Sequence, residues 1–294
     1  MPSPRASAER RGSAADEPRH LLVATDFSAS AKAALERALQ LTQWHEASLT
    51  LLHVAPNVLE PATRHIAERH LQELAAWCGT VPVQTLIATG SASAEIVAAA
   101  KRLHADLIVL GGHGEHGSDR QEAAYVGACA ETVADTSEVP VLVVKSEDQP
   151  RYRTVVIAIE ETDRALSTAA TGVAFTPGAR HVAAHAAAVP GEDLLRLAGV
   201  DRLEIDRLRR ARLREVRPRL ESLVRAVEDV RPVRLVVGSG RAEDLIADLT
   251  ARIGADLVIT GTRQSIGRRQ ALLGSIGRHT IRKAPCDVLI AHSP

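Results

Sequence analysis

The chain has 294 residues, enough for about two domains, and its 36 basic side chains are balanced by 36 acidic ones. A formal net charge of zero and an aromatic content of 2 % exclude a general nucleic-acid or membrane-surface binder, which needs a net basic face and, for single strands, stacking platforms. The three cysteines form no CxxC pair, which favours buried thiols in a cytoplasmic protein. Residues 1–19 lack the apolar core of a secretory signal and are predicted to be a disordered leader.

In the first half of the chain, short apolar runs alternate with helical patterns. Strands are predicted at 21–25, 48–54, 81–87, 106–110 and 139–144. Helices are predicted from Ser28 or Ser30 to about Trp44, at 63–77, at 93–103, and from Gly127 onward. Strands that alternate with helices across short turns indicate a parallel sheet covered on both faces.

A polar linker, 146–150, leads into a second half with the same alternation. Its predicted strands are 155–159, 181–188, 233–237, 257–260 and 288–291, with a helix at 242–252. Between 191 and 227, apolar residues recur mostly every three to five positions within an Arg-rich segment, which predicts an amphipathic helix kinked or broken before Pro218. We interpret its arginines as a solvated helix face, because acidic residues balance them.

The two halves repeat one another segment by segment. LLVATD at 21–26 matches VVIAIE at 155–160, GSASAE at 90–95 matches GSGRAE at 238–243, and DLIVLG at 106–111 matches DLVITG at 256–261. A period of about 150 residues is too long for a solenoid. The sequence therefore predicts two copies of one domain, at 20–146 and 151–294.

In each half a predicted strand ends at a glycine, and a loop then leads to a helix that opens at a second glycine. Gly261 and Gly274-Ser275 form this pattern in the second half, and Gly111 and Gly127-Ala128 in the first. Glycines let the backbone approach an anion, and a helix N-terminus offers free N–H groups and a positive dipole end. The pattern suits a phosphate site, although glycines at such corners can also be purely steric.

Each half resembles a universal stress protein domain, and the whole chain resembles a tandem universal stress protein. Nucleotide-binding members of that family carry G-x-x-G-x9-G-[S/T] after strand four and an Asp at the end of strand one. The resemblance implies an α/β fold of two doubly wound, five-stranded parallel-sheet domains, adenine nucleotide alpha-hydrolase-like, in strand order 3-2-1-4-5. It also implies a pseudo-two-fold that pairs the fifth strands, bringing 141–144 near 288–290.

The family motif is incomplete in both halves. In the first half the matching residues are Asp26, Gly111, Gly114 and Gly127, but twelve residues separate Gly114 from Gly127 and Ala128 replaces the hydroxyl residue. In the second half the nine-residue gap is intact, while Gln264 replaces the second glycine and Glu160 replaces the Asp. The resemblance implies that Gly274 and Ser275 hold phosphates, that Gly261 admits the ribose, and that Glu160 meets the ribose or adenine. Arg263 adds positive charge beside the loop, so the second half is the preferred site.

The function that the resemblance implies is a stress-response sensor or regulator that binds ATP, or AMP or ADP, with or without Mg²⁺. At most slow ATP hydrolysis is expected, because the sequence has no Gly-x-x-x-x-Gly-Lys-Ser/Thr loop and no evident general base. No protein-borne metal site, nucleic acid or membrane partner is predicted, and further pairing into a homodimer fits the family. The alternative is a nucleotide-free interaction module in which both sites have decayed.

Overall fold

The structure is a computed structural model that describes residues 17–56, 61–113, 127–146, 151–162, 164–228, 232–264 and 271–292. Side chains are described for these residues except 61, 164, 227, 228, 263, 264, 271 and 272. Most of the predicted leader and the linker residues 147–150 lie outside this description, so the domain boundaries stay predictions. Within the described ranges, no helix combines the length and the hydropathy that crossing a bilayer requires.

The first half alternates strands and helices as predicted. Its elements are β1 His20–Thr25, α1 Ala29–His45, β2 Ser48–Ala55, α2 Pro61–Trp77, β3 Val83–Thr89, α3 Ala92–Leu103, β4 Leu107–Gly111, α4 Ala128–Thr136 and β5 Val141–Val144. The second half follows with β6 Thr154–Ala158, α5 Arg164–Phe175, β7 Arg180–Ala186, α6 Glu192–Leu197, α7 Arg202–Glu228, β8 Val233–Gly238, α8 Ala242–Ile253, β9 Leu257–Gly261, β10 Arg263–Gln264, β11 Ala271–Leu272, α9 Ser275–Lys283 and β12 Asp287–Ala291.

The strands of both halves form one ten-stranded sheet in the order β3-β2-β1-β4-β5-β12-β9-β6-β7-β8. All neighbours within a half are parallel, which confirms two doubly wound five-stranded units. The halves join through an antiparallel pair in which Val141 faces Ile290 and Val143 faces Val288. The predicted pairing of the fifth strands is therefore confirmed, and it covers two edges that would otherwise be open to aggregation.

Helices cover both faces of the sheet, and this explains the continuous apolar strands. One core cluster joins α1, α2, α5 and α7 to Leu21 and Val23, while Leu22 belongs to a cluster with α3, α4 and α9 on the other face. All three of these β1 residues are completely buried. A strand with both faces buried needs apolar residues at successive positions, not alternate ones.

The long helix α7 corrects one prediction. It runs without interruption from Arg202 to Glu228 with Pro218 inside it, so of the predicted kink or break before Pro218 the break is wrong. Pro218 has no N–H to donate to the helix. The helix nevertheless packs against α5 and β8, and it buries Val216, Leu220 and Val224. Tertiary burial on both sides of the proline holds the helix together.

A buried polar cluster sits at the junction of the two halves. The Asp287 carboxylate is fully buried and accepts hydrogen bonds from Lys145 N at 2.8 Å, Ser146 N at 3.0 Å and the Tyr152 hydroxyl at 2.7 Å. Arg37 Nε lies 3.3 Å from Asp287 Oδ2, an ion-pair distance without hydrogen-bond alignment. The Arg37 guanidinium also lies over the Tyr152 ring, 4.3 Å from its centre. Helix α1, the start of the second half and β12 are thus tied together by one carboxylate.

Candidate functional site

The second half contains a cleft beyond the carboxyl ends of its strands, where strand order reverses. Its volume is about 330 Å³, within the range of small-molecule sites. The cleft brings together the predicted residues Glu160 and Gly261 and reaches the first turn of α9 at Ile276. It is otherwise lined mainly by small alanines of β6 and β7 and by Thr168, His185, Ile246, Thr260 and Thr262.

The predicted phosphate-binding residues form the N-terminus of α9. Gly274 is its N-cap at φ −68° and ψ 172°, and in the described structure no side chain caps the helix. Ser275 follows as its first residue and is exposed. Free N–H groups of a first turn, with no acidic side chain in that turn, suit an anion.

The first half repeats this geometry with a different charge. Gly127 is the N-cap of α4 at φ −61° and ψ 144°, and its N–H donates to Gly112 O at 2.9 Å. The first turn of α4 carries Glu131, which is paired with Arg282 of the other half. Gly114 lies outside the described residues, so its part in a phosphate loop is untested.

The glycines that end β4 and β9 have a steric explanation. A Cβ on Gly111 would lie 2.5 Å from Ser30 Oγ and 2.7 Å from the Ser30 backbone carbon. A Cβ on Gly261 would lie 2.7 Å from Thr168 Oγ1. Close packing of α1 against β4 and of α5 against β9 therefore requires both positions to be small, whether or not a ligand approaches them.

Asp26 takes part in the turn from β1 into α1. Its Oδ1 accepts from Ser28 N at 3.0 Å, and Ser28 in turn caps α1 by accepting from Ala31 N at 3.2 Å. Phe27 between them has a left-handed backbone with φ 66°. Cys129 in the first turn of α4 is exposed, so the prediction of buried thiols is wrong for this cysteine. Partial loss of solvation and then the Asp26 carboxylate raise the pKa of its thiol. Asp26 therefore serves the turn from β1 into α1, and its charge also acts on the first turn of α4.

Arg263 is placed only in part. Its backbone pairs with Leu272 in a two-stranded antiparallel ribbon, β10–β11, where the sequence predicted a polar loop. Its side chain lies outside the described structure, so its predicted contact with phosphate is untested. The ribbon leads the chain from Gly261 back to the N-terminus of α9.

Four residues of the cleft region were missed by the sequence analysis. His185 Nδ1 lies 2.8 Å from Ile159 O, and its Nε2 lies 3.3 Å from Glu161 Oε1. Arg212 Nη2 donates to the same Glu161 oxygen at 2.5 Å. Thr262 is 6 % exposed, and its hydroxyl has no hydrogen-bond partner among the described residues. One sequence signal existed, because a histidine stands near the end of the second strand in both halves, His53 and His185.

The sequence model of the Universal stress protein family matches residues 17–145 and 151–292. The chain belongs to the universal stress protein family. Universal stress protein A of Escherichia coli strain K12 is 27 % identical over 145 residues, which is 45 % of this chain and 96 % of that protein. A single-domain universal stress protein thus corresponds to about half of this tandem chain.

Two solved structures match the universal stress protein fold of the whole chain. A universal stress protein from Archaeoglobus fulgidus DSM 4304 is 21 % identical with a TM-score of 0.67, covering 92 % of this chain and 97 % of that one. A protein of unknown function from Pseudomonas aeruginosa PAO1 is 18 % identical with a TM-score of 0.60, covering 93 % and 92 %. At these identities the likeness concerns the fold, including its two-domain extent.

Proposed function

We propose that this universal stress protein binds an adenine nucleotide, ATP or AMP or ADP, in the cleft of its second half. In this proposal it acts as a cytoplasmic stress sensor or regulator, with no residue assigned a catalytic role. One observation supports the proposal best. The cleft of the second half reaches the N-terminus of α9, and no side chain caps that helix in the described structure. Two buried polar atoms of the same cleft, Thr262 Oγ1 and His185 Nε2, have no hydrogen-bond partner among the described residues. They add to the support, because buried polar atoms normally have such partners.

The N–H groups at Gly274 and Ser275 and the Ser275 hydroxyl would hold phosphate oxygens. Their dipole and hydrogen bonds favour a polyanion without a dedicated metal site. Glu160 lines the cleft beyond β6 and would meet the ribose or base. Mg²⁺, where present, would enter with the phosphates that it neutralises.

A specific observation favours the second candidate function, a nucleotide-free interaction module. Leu194, Leu197 and Leu203 of α6 and α7 are 71 %, 85 % and 72 % exposed. Neighbouring exposed leucines are typical of a protein contact surface. A preparation that releases no nucleotide on denaturation, as measured by mass spectrometry, and shows no thermal shift with ATP would favour this candidate.

The decisive experiment compares Gly274→Val with Gly127→Val by isothermal titration of ATP. Both glycines are N-caps with an extended backbone that any residue adopts, so neither change strains the backbone dihedrals. Valine at 274 should abolish binding, because its side chain would occupy the space of the phosphate. Valine at 127 is the matched control for the lost glycine cap and should leave the affinity unchanged.

The hydroxyl is tested separately by Ser275→Ala. We expect a loss of about 1–3 kcal/mol, the usual contribution of a hydrogen bond to a charged group. Loss of binding in Gly127→Val with normal binding in Gly274→Val would place the nucleotide in the first half. No heat with the parent protein would refute nucleotide binding and leave the interaction module.

A further inference from the structure

Each half has a histidine near the end of its second strand, and the side chain beside that histidine differs between the halves. His53 Nδ1 lies 2.9 Å from Thr25 O, as His185 Nδ1 lies 2.8 Å from Ile159 O. A carbonyl oxygen only accepts, so Nδ1 is the donor in both. The His53 ring packs on the Phe27 ring, with 4.5 Å between the ring centres. In the second half the residue at the same place in the repeat is Glu161.

Glu161 is held in a defined position. Arg212 Nη2 donates to its Oε1 at 2.5 Å, and His185 Nε2 lies 3.3 Å from the same oxygen without a hydrogen bond. No described side chain hydrogen-bonds Oε2. The carboxylate is 23 % exposed and lines the cleft. A second guanidinium nitrogen of Arg212 is engaged by Glu215 at 3.0 Å, so the arginine is itself fixed.

Glu161 and the phosphate-binding end lie on opposite sides of the cleft. His185 belongs to β7, whereas α9 connects β9 to β12, and β6 lies between β7 and β9 in the sheet. Two strand spacings separate β7 from β9, roughly 10 Å. A carboxylate would repel phosphate at short range, but at this distance it can face the other end of a nucleotide.

We propose that Glu161 accepts a hydrogen bond from the nucleoside end of the bound nucleotide, a ribose O–H or a base N–H. Arg212 acts as a positioning residue that holds the carboxylate. The proposal rests on the proposed nucleotide binding and adds a specificity determinant to it. Two further buried atoms in the cleft lack a hydrogen-bond partner in the described structure, His185 Nε2 and Thr262 Oγ1, as expected of a site completed by a ligand.

The test is titration of the parent and Glu161→Gln with ATP. Glutamine keeps the shape and an oxygen for Arg212 but loses the charge, so ATP affinity should fall about 10- to 100-fold. Glu215→Gln is the control. It removes the second carboxylate that pairs with Arg212, and because the Glu215 side chain is 70 % exposed, the ATP affinity should stay within twofold of the parent. The melting temperature of Glu161→Gln should stay near that of the parent, which separates a ligand contact from a structural role.

Nucleotide analogues identify the donor. 2′-Deoxy-ATP and 3′-deoxy-ATP each lack one ribose hydroxyl, and inosine triphosphate lacks the amino group. The analogue that lacks the donor contacted by Glu161 should bind the parent protein weakly. Its affinity should fall little further when Glu161 is replaced by glutamine. An unchanged ATP affinity in Glu161→Gln, an equal penalty for every analogue, or a loss that vanishes without Mg²⁺ would overturn the proposal. Absence of binding by the parent would instead refute the nucleotide function itself, so the two failures are distinguishable.

Discussion

Replacing Asp287 by asparagine removes the charge that connects the two halves while keeping the shape of the side chain. Asp287 is 0 % exposed and Arg37 is 3 % exposed, so the change leaves a buried cation without its counter-ion. The oxygen of the asparagine amide can still accept from Lys145 N and Ser146 N. Its NH₂ group would then face the Tyr152 hydroxyl and Arg37, where the carboxylate now accepts.

We expect Asp287→Asn to lower the free energy of unfolding by about 3–5 kcal/mol, the usual cost of removing one partner of a buried ion pair. The lost acceptor for Tyr152 belongs to the same network and is included in that figure. Burial and the nearby Asp287 charge already raise the pKa of Tyr152 well above its usual value, so the phenol stays a neutral donor at pH 7.

Urea unfolding followed by far-UV circular dichroism measures the change. Glu131→Gln is the control, because Glu131 and Arg282 also join the two halves but are 22 % and 52 % exposed. An exposed pair contributes at most about 1 kcal/mol. In the double variant Arg37→Met with Asp287→Asn, the buried cation is gone, so the loss should be smaller than the sum of the two single losses.

Two results would refute this reasoning. A loss below about 1 kcal/mol in Asp287→Asn would show that the buried charge contributes no more than a surface pair. Strict additivity in the double variant would show that Arg37 and Asp287 do not interact energetically.

Two further predictions concern packing and pH. Gly111→Ala should cost about 1–3 kcal/mol because its Cβ would meet the Ser30 backbone, whereas Gly261→Ala should cost less because only the Thr168 hydroxyl is in the way and it can rotate. Urea unfolding of both variants checks this, and equal or reversed costs would contradict it. Burial lowers the pKa of His292 from 6.5 to about 4, so the unfolded chain binds more protons between these values, and stability present above pH 6.5 should decline by roughly 3 kcal/mol as pH falls to about 4. His292→Leu should flatten that part of the stability–pH curve, and an unchanged slope would contradict the assignment.

Local pattern was enough to predict the ten strands of the main sheet, most helices and the duplication. The apolar runs at 21–25 and 155–159 became β1 and most of β6, and Ser28 caps α1 as one of its two predicted candidates. Such features depend on neighbours a few residues away, which the sequence displays directly. The family motif then predicted that Glu160 and Gly261 serve one site, and both residues line one cleft.

Pairing of the two halves was predicted through the family resemblance, but the chemistry inside that interface was not. Asp287 and Tyr152 are 135 residues apart, and Glu161 and Arg212 are 51 apart. Each looked like an ordinary polar residue in its own segment. Only the joining of the two halves into one sheet puts Asp287 and Tyr152 in the interior, where a charge must find a partner.

The sequence by itself determined the order of elements and the doubling of the domain, since periodicity and capping are local properties of the chain. The tertiary structure decided whether α7 continues through Pro218, whether Gly111 and Gly261 have a packing role, and which polar residues line the second cleft. Each of these outcomes depends on groups brought together from distant segments. Burial and close contact set their energies, and neither exists before the chain has folded.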